Sequence, residues 1–378
     1  MLRALARIDL AASERNAARL RARLSDATTL CAVVKARASG HGATPVARAA
    51  LAGGASSLAV ATAMEAAELR EQGIGADVPV LVLGAVSEEE LPTALAARSE
   101  LVAWDPRFIA EIERAARTAG GREPTRVHVK YDTGLGRLGT RDREQALAVA
   151  ERIAGAEGLV LHGAMTHCAT ADGDPEFLAA QLDAFRPFVE RIRRVAPVIA
   201  HAANSAATLC EPASHFDMVR CGIALHGCDP MNEDPDVWGL EPALELHSYV
   251  AAVKHLRPGE SVGYGRRFVA ERETWIATVP IGYADGVSRA HTNNGEVLIA
   301  GRRRPILGTV SMDNITVDLG QVPDVEVGED VVLIGRSGGE RITAEEVSRR
   351  IGTINHEVLC RLSDRVTRRW HRGGEPVA

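Results

Sequence analysis

The sequence predicts an α/β fold, with an N-terminal (β/α)8 barrel of the TIM type followed by a C-terminal, mainly β domain. Eight short apolar runs alternate with longer amphipathic segments between about residues 28 and 221. This alternation is typical of parallel strands joined by crossover helices, and eight units favour a closed barrel over a doubly wound sheet. After about residue 227 the strands shorten and turn signals separate them. We therefore expect the barrel over residues 1–228 and the second domain over 229–378.

The individual elements follow from these patterns. An initial helix is predicted over about 11–24, and crossover helices include 62–72, 105–119, 142–154 and 176–195. The predicted barrel strands are 28–34, 57–61, 79–83, 100–103, 125–129, 159–165, 198–201 and 217–221. In the second domain the predicted strands are 246–253, 273–280, 297–299, 305–310, 314–318 and 330–334, with one late helix from about Thr343.

Composition and charge argue against several classes of function. The net charge of −6 gives no general reason to bind nucleic acid or an anionic membrane. No apolar stretch reaches the roughly 18 residues that a membrane helix needs. The six cysteines form no C-x-x-C pair and match no zinc spacing, which fits a reducing compartment. We expect a cytoplasmic protein with a small-molecule substrate, no metal, and neither nucleic acid nor membrane as partner.

The first predicted barrel strand ends in Lys35, and Gly40-His41-Gly42 follows shortly after. A barrel holds its ligands at the carboxyl ends of its strands, so this amine is placed where chemistry occurs. An amine in such a site loses its proton more easily than one in water and can form a Schiff base. The competing interpretation is a lysine that leaves the strand and reaches solvent.

Other strand ends bring further polar side chains to the same rim. Because Asn204-Ser205 opens a short helix and Gly222-Ile223 follows the last strand, their exposed N–H groups favour a phosphate site. A phosphate there and an amine at Lys35 suggest pyridoxal 5′-phosphate, whereas a phosphorylated sugar in a Schiff-base aldolase is the alternative. The full set of rim residues is Lys35, Lys130, Asp132, Arg137, His167, His201, Asn204, Ser205, Arg220, Gly222 and Ile223.

The segment 134–139 also matches G-x-G-x-x-G, the dinucleotide-binding pattern. It follows the fifth strand rather than the first, and Arg137 lies inside it. Dinucleotide binding is therefore disfavoured.

With these residues assembled, the chain resembles the alanine racemase family of barrel-type (fold type III) pyridoxal-phosphate enzymes. The matching motifs occur in the family's order over nearly the whole length. They are Val33-Val-Lys35-Ala with Gly40-His-Gly42, Asp132-Thr-Gly-Leu-Gly-Arg137-Leu-Gly, Thr166-His167-Cys-Ala-Thr-Ala-Asp, His201-Ala-Ala-Asn204-Ser205-Ala-Ala, Met218-Val-Arg220-Cys-Gly222-Ile223-Ala, Val262-Gly-Tyr264-Gly, Pro280-Ile-Gly-Tyr283-Ala-Asp-Gly and Ser311-Met312-Asp313.

The resemblance implies a racemase that interconverts L- and D-alanine by moving the α-proton with two groups. Lys35 would bind pyridoxal 5′-phosphate and serve one face of the substrate, and Tyr264 of a partner subunit would serve the other. A homodimer with shared active sites follows. His167 and Arg220 would give Tyr264 cationic support, and Arg220 would also bond the ring nitrogen without readily giving up its proton.

The resemblance assigns the remaining residues to cofactor and substrate. The cofactor would also contact Asn204, Ser205, Gly222 and Ile223. The substrate would be bound by Arg137 with the partner's Met312 nearby, with Tyr283 at the entryway and with Lys130, which in many members is carbamylated, orienting Arg137.

Two positions depart from the family pattern, because Ser39 and Asp364 stand where tyrosines are usual. Their loss of two rings predicts a wider pocket. The alternatives are therefore a racemase of a larger or cationic amino acid, such as serine, lysine or arginine, or a catalytically weak cofactor-binding homologue. Barrel-type decarboxylases are disfavoured because their cysteine–aspartate motif is not found in the sequence.

Overall fold

The computed structural model describes residues 2–119, 123–322 and 324–377, and the chain divides into two compact units. The first unit comprises Ser13–Ala38 and Gly42–Leu225. The second comprises 2–12, Ser39–His41 and 226–377. These units differ from the expected boundary at residue 228 chiefly at the N-terminus, where strand β1 (Leu5–Asp9) pairs with strands formed by the C-terminal part of the chain.

The first unit contains the predicted barrel of eight parallel strands. The strands are β2 (Thr29–Val33), β3 (Ser57–Val60), β4 (Val80–Val82), β5 (Ser99–Ala103), β6 (Thr125–Lys130), β7 (Leu159–Met165), β8 (Ile199–His201) and β9 (Met218–Cys221). Their order in the sheet is β8-β7-β6-β5-β4-β3-β2-β9. Backbone bonds from Asp217 N to Ala200 O and from Arg220 N to Ala203 O, both 3.0 Å, join the two ends. The barrel is therefore nearly closed.

Helices alternate with these strands, and their N-caps follow the sequence signals. Thr62 and Glu65 form a reciprocal capping box, and Asp142 accepts bonds from the N–H groups of Glu144 and Gln145. The helices up to residue 210 are Leu10–Ala22, Ala43–Ala52, Ala63–Glu71, Leu91–Ala96, Pro106–Ala119, Arg143–Ala154, Pro175–Ile192 and Ser205–Cys210. In the part of the chain that is described, none of the helices is both long and apolar enough to cross a membrane.

The segment after β2 has an unusual backbone conformation. Ala36, Arg37, Ala38 and Ser39 all have φ between 51° and 55°, so they form one turn of left-handed helix directly after Lys35. For residues other than glycine this conformation costs roughly 1–2 kcal/mol each. The backbone bonds Ala38 N–Val34 O at 2.8 Å and Gly42 N–Arg37 O at 2.7 Å help to stabilise the turn. Such strain is commonly found at functional sites.

The second unit is mainly β, as predicted. Its largest sheet has 11 strands, in which β1 lies between the antiparallel β10 and the parallel β20. The strands after residue 240 are β10 (Leu244–Tyr249), β11 (Ala252–Leu256), β12 (Ser261–Val262), β13 (Phe268–Val269), β14 (Thr274–Val279), β15 (Glu296–Ile299), β16 (Arg302–Leu307), β17 (Ile315–Gly320), β18 (Asp330–Ser337), β19 (Glu340–Ile342), β20 (Thr367–Arg372) and β21 (Glu375–Pro376). Two helices, Ala344–Arg350 and Asn355–Cys360, follow β19.

One strand prediction in this unit is wrong. Residues 246–253 were expected to form a single strand, but β10 ends at Tyr249 and β11 begins at Ala252. The break occurs because β10 pairs with β18 whereas β11 pairs with β14, so the chain changes partner between them. Apolar runs predict that a segment is extended but do not show where its pairing partner changes.

The left-handed turn predicts an unusual response to glycine. We expect Ala36→Gly to leave the free energy of unfolding unchanged or to raise it by up to about 1 kcal/mol, because glycine adopts positive φ without the Cβ penalty. The matched control is Ala67→Gly, which lies inside the right-handed helix Ala63–Glu71 and should lower that free energy by about 1 kcal/mol. Urea unfolding of the cofactor-free protein measures both. Equal destabilisation by the two substitutions would contradict a strained left-handed turn.

Candidate active site

The strand ends of the barrel carry the residues that the sequence singled out. Lys35 follows β2, Lys130 ends β6, His167 follows β7, Asn204 and Ser205 follow β8, and Arg220 lies in β9. In parallel strands these carboxyl ends lie on one side of the barrel, where the loops bind ligands.

Arg220 is the central buried group of this site. Its side chain is almost fully buried, and its Nη1–H donates to His201 Nδ1 at 2.7 Å. Its Nη2 group donates to Thr166 O at 2.9 Å, His167 Nδ1 at 3.0 Å and Ala202 O at 3.0 Å. Among the described residues the remaining Nε–H finds no acceptor. The guanidinium is thus held through Nη1 and Nη2, and its Nε–H is left for a ligand.

The bond from Arg220 fixes the state of His167. Because guanidinium only donates, His167 Nδ1 must accept, and a neutral ring then carries its proton on Nε2. Burial, and then the positive charge of Arg220, hold the pKa of His167 well below its ordinary value. His167 is therefore neutral, and it does not supply the cationic support for Tyr264 that the resemblance suggested.

Lys130 is buried near other cations. Burial, followed by the charges of Arg220 and Arg137, lowers the pKa of its amine to about 8, while Asp132 opposes the shift. Lys35 also contributes to this repulsion. No hydrogen-bond acceptor for the amine is found in the described ranges. The group is consequently a more available nucleophile at neutral pH than an ordinary lysine.

The glycine-rich segment after β6 forms a loop around Asp132. The Asp132 carboxylate accepts from Gly134 N at 3.1 Å, Gly136 N at 2.9 Å and Arg141 Nε at 3.2 Å. Burial opposes ionisation, but these bonds lower the pKa of Asp132. The N–H groups of the G-x-G-x-x-G segment thus bind a carboxylate of the chain itself. This agrees with the prediction that the segment does not bind a dinucleotide. The loop presents Arg137, which is exposed.

The residues proposed for a phosphate lie in a compact arrangement after β8 and β9. The Ser205 hydroxyl accepts from Gly222 N at 3.0 Å and Ala224 N at 3.4 Å. Ile223 opens a short 3-10 turn, Ile223–His226, whose first N–H groups have no partner within the turn. Asn204 caps the helix Ser205–Cys210 through its own oxygen, with Ala207 N at 3.0 Å. Asn204 therefore shapes this region through the backbone.

Three further candidate residues belong to the second unit and are all exposed. Tyr264 is 75% exposed, and Tyr283 and Met312 are 42% and 51% exposed. Their loops are joined by backbone bonds, since Tyr283 N donates to Ser311 O at 3.0 Å. The Thr309 hydroxyl donates to Tyr264 O at 2.7 Å. These side chains therefore project from one connected group of loops.

The two departures from the family pattern lie in segments that Arg368 links. Arg368 Nε donates to Gly40 O at 2.7 Å, next to Ser39, and its Nη1 donates to Ser363 O at 3.3 Å, next to Asp364. A Cβ on Gly40, whose φ is 87°, would lie 2.6 Å from a backbone oxygen. The segments are thus tied through their backbones, which does not require the usual tyrosine rings.

Sequence reasoning gave no role to three polar residues inside the barrel, Glu100, His128 and His162. Among the residues that the structure describes they form the one group of three potential metal ligands, with ligand atoms within 4.8 Å of one another. The signal that could have found them is a polar side chain at an interior position of a barrel strand, since Glu100 and His128 are buried in β5 and β6.

The arrangement as a whole fits pyridoxal 5′-phosphate. Lys35 supplies an amine, the unpaired Nε–H of Arg220 suits a ring-nitrogen acceptor, and the N–H groups near Ser205 and Ile223 suit a phosphate. Four cations around these groups favour an anionic ligand.

Comparison with known proteins matches both units to one family. The model described as "Alanine racemase, N-terminal domain" matches residues 8–230, and "Alanine racemase, C-terminal domain" matches 243–370. The alanine racemase of Geobacillus kaustophilus is 41% identical, over 97% of this chain and 94% of its own. The relative named alanine racemase 2 of Caldanaerobacter subterraneus subsp. tengcongensis is 39% identical, over 93% of this chain and 90% of its own.

Solved structures give the same result. The alanine racemase of D-cycloserine-producing Streptomyces lavendulae has a TM-score of 0.93 and 38% identity, covering 99% of this chain and 98% of that one. The alanine racemase of Bacillus anthracis with bound L-Ala-P has a TM-score of 0.91 and 36% identity, covering 100% and 97%. The chain therefore belongs to the alanine racemase family and is a pyridoxal-phosphate-dependent amino-acid racemase.

Proposed function

We propose that this protein interconverts L- and D-alanine, with the α-proton moved by Lys35 on one face and by Tyr264 of a partner subunit on the other. The observation that most supports the proposal is the state of Arg220. Its guanidinium donates to four acceptors of the protein through Nη1 and Nη2, and its Nε–H is left for a ligand. This is the donor that a racemase needs at the ring nitrogen, as argued next.

An arginine at the ring nitrogen limits the chemistry of the site. When bound, pyridoxal 5′-phosphate withdraws electrons from the α-carbon of an attached amino acid and so acidifies its proton. Arg220 donates a hydrogen bond to the ring without giving up its proton, because guanidinium is far less acidic than a carboxylic acid. Such a contact would favour return of a proton to the α-carbon over decarboxylation or transamination.

The remaining cofactor contacts come from the barrel. Lys35 would provide the amine that binds the cofactor. Ser205, Gly222 and Ile223 would hold the phosphate, with the Gly222 N–H, which donates to the Ser205 hydroxyl here, turning to the phosphate. His167 accepts a bond from Arg220 and would so help to hold the guanidinium that donates to the ring nitrogen. Asn204 caps the start of the helix Ser205–Cys210 and would so help to shape the phosphate site.

Two proton-moving groups on opposite faces are needed for racemisation, because one removes the α-proton and the other returns a proton from behind. Lys35 and Tyr264 belong to different units of the chain. Tyr264 is 75% exposed, and its hydroxyl has no hydrogen-bond partner among the described residues. A large exposed aromatic side chain of this kind suits a homodimer in which each protomer completes its partner's site.

Substrate recognition is assigned to Arg137 and to the exposed group of the second unit. Arg137 is an exposed guanidinium on the rigid Asp132 loop, which suits a substrate carboxylate. The partner's Met312 would lie near that carboxylate, and Tyr283 would border the entryway. The wider-pocket alternative, a racemase of serine, lysine or arginine, keeps its support from Ser39 and Asp364, and the substrate series described below separates it from alanine racemisation.

Lys130 is proposed to carry a carbamate. Its neutral amine would attack carbon dioxide, and the N–C bond forms as one proton is released to water. With a pKa of about 8, roughly a tenth of the amine is neutral at pH 7, against about one part in three thousand for an ordinary lysine. The new negative charge would also offset the repulsion from Arg137 and Arg220.

The first test of the proposed function uses a series of amino acids. We expect the protein to bind pyridoxal 5′-phosphate with a visible absorbance band and to racemise alanine faster than serine, lysine or arginine by at least about tenfold, since a small pocket discriminates mainly by size. Lys35→Ala should abolish both the band and the activity. Loss of optical activity in each amino acid is the measurement. A preference for a larger or cationic amino acid would favour the wider-pocket alternative, and absorbance that survives Lys35→Ala would contradict the cofactor assignment.

The second test concerns Lys130. With ¹³C-labelled bicarbonate, we expect one carbamate signal in the ¹³C NMR spectrum, and we expect it to weaken as the pH falls well below 8, because the protonated amine does not react. The chain has only three lysines, Lys35, Lys130 and Lys254. Lys130→Arg should remove the signal, and the matched variant Lys254→Arg should keep it. A signal that persists in Lys130→Arg would contradict this assignment.

A further inference from the structure

A chain of buried hydrogen bonds leads from Arg220 across the barrel interior to Glu100. His201 Nδ1 accepts from Arg220 at 2.7 Å, and His201 Nε2 lies 2.8 Å from His128 Nδ1. His128 Nε2 lies 3.0 Å from Glu100 Oε2. Both rings are fully buried, and Glu100 is 7% exposed. The four residues come from β9, β8, β6 and β5.

The two ends of this chain determine the position of every proton in it. Arginine can only donate, so His201 Nδ1 is an acceptor and its neutral ring is protonated on Nε2. That proton must be donated to His128 Nδ1, which leaves the proton of His128 on Nε2. Ionised Glu100 can only accept, and it receives this last proton. The bonds therefore all have one direction, from Arg220 towards Glu100.

Glu100 is held in the ionised state that this direction requires. Burial favours its neutral form, but the hydrogen bond from His128, the neighbouring His162 and the bond from Arg126 lower the pKa of Glu100 to about 2. Arg126 Nη1 is 3.1 Å from Oε1, and His162 Nε2 is 3.6 Å from the same oxygen. Arg220 itself has no carboxylate partner in the described residues. Glu100 is thus the anion to which the buried guanidinium is connected.

The backbone of β7 makes room for this chain. The pairing of β6 with β7 shifts register between Val127 and His128, which skips His162 and places Gly163 opposite His128. A Cβ on Gly163 would lie 1.9 Å from His128 Nδ1, the atom that accepts from His201. A glycine is therefore required where the ring forms its bond to His201.

A metal ion at Glu100, His128 and His162 explains the contacts less well. Both nitrogens of His128 are already engaged, one as acceptor and one as donor. The guanidinium of Arg126 occupies Glu100 Oε1 and would repel a cation.

We propose that Glu100 is a positioning residue for Arg220, acting through His128 and His201. As the terminal acceptor it selects the tautomers that leave the lone pair of His201 Nδ1 facing the guanidinium. Without an acceptor, the proton of His128 would be buried unpaired. If that proton moved to Nδ1 of His128, it would face the Nε2 proton of His201. The proton of His201 would then have to move to its Nδ1, where it would face the N–H of Arg220. The inference rests on the proposed function only for its activity readout.

The test compares three variants by kcat and by imidazole tautomer. Glu100→Leu removes the acceptor, and we expect kcat to fall roughly ten- to a hundredfold, the effect of one buried unpaired donor. Glu100→Gln retains an oxygen acceptor, and kcat should stay within about threefold of the wild-type value. Arg126→Ala, the matched control, removes the outer partner of Glu100 and should leave kcat and the tautomers unchanged.

The tautomers are read by NMR of protein labelled with ¹⁵N-histidine, without substrate, with signals assigned by comparison with a His201→Asn variant. We expect wild-type His201 to be protonated on Nε2 only, and this single form to be lost in Glu100→Leu. A wild-type His201 protonated on Nδ1 would overturn the proposal whether or not any variant folds. The proposal would also be overturned if Glu100→Leu kept the wild-type kcat and tautomers. Equal losses of kcat in Arg126→Ala and Glu100→Leu would overturn it as well. Failure to racemise alanine would count against the proposed function and leave the tautomer result valid.

Discussion

The buried guanidinium of Arg220 is the constraint on which the other polar groups of the barrel depend. A guanidinium offers only donors, so Thr166 O, Ala202 O and one nitrogen each of His167 and His201 must all accept from it. This requirement makes both rings neutral and gives each a single tautomer. The protons that remain lie on Nε2 of each ring, and that of His201 is directed into the barrel towards His128. One buried charge thereby organises groups on three strands.

The same charge sets the electrostatics of the barrel rim. Burial, together with the charges of Arg220, Arg137 and Lys35, lowers the pKa of Lys130 to about 8, so this cationic rim gains stability from bound anions. A phosphate, a substrate carboxylate and a carbamate each supply such a charge. The left-handed turn after Lys35 adds a conformational constraint, because four residues in a costly conformation persist only where surrounding contacts hold them. Strain and uncompensated charge are both placed next to Lys35, the amine proposed to bind the cofactor.

Much of this organisation could be predicted from sequence. The eight barrel strands were found because each is a short apolar run, and the helix starts at Asp142 and Thr343 because their caps are local signals. Strand β20 could not be predicted because four of its six residues are arginines or histidines. It is a strand because it pairs with β1 and β21, not because of its composition. The Glu100–His128–His201 chain could not be predicted, since it depends on contacts between distant strands. The left-handed turn could not be predicted either, because residues other than glycine normally avoid positive φ.

The central claim is that each active site combines Lys35 of one protomer with Tyr264 of its partner. It is tested most directly by a mixed dimer, purified with two affinity tags, of one Lys35→Ala subunit and one Tyr264→Phe subunit. In this dimer one of the two sites lacks both groups and the other has both. The account predicts about half of the wild-type alanine racemisation per dimer, whereas each parent homodimer is nearly inactive. A mixed dimer no more active than its parents would contradict the account.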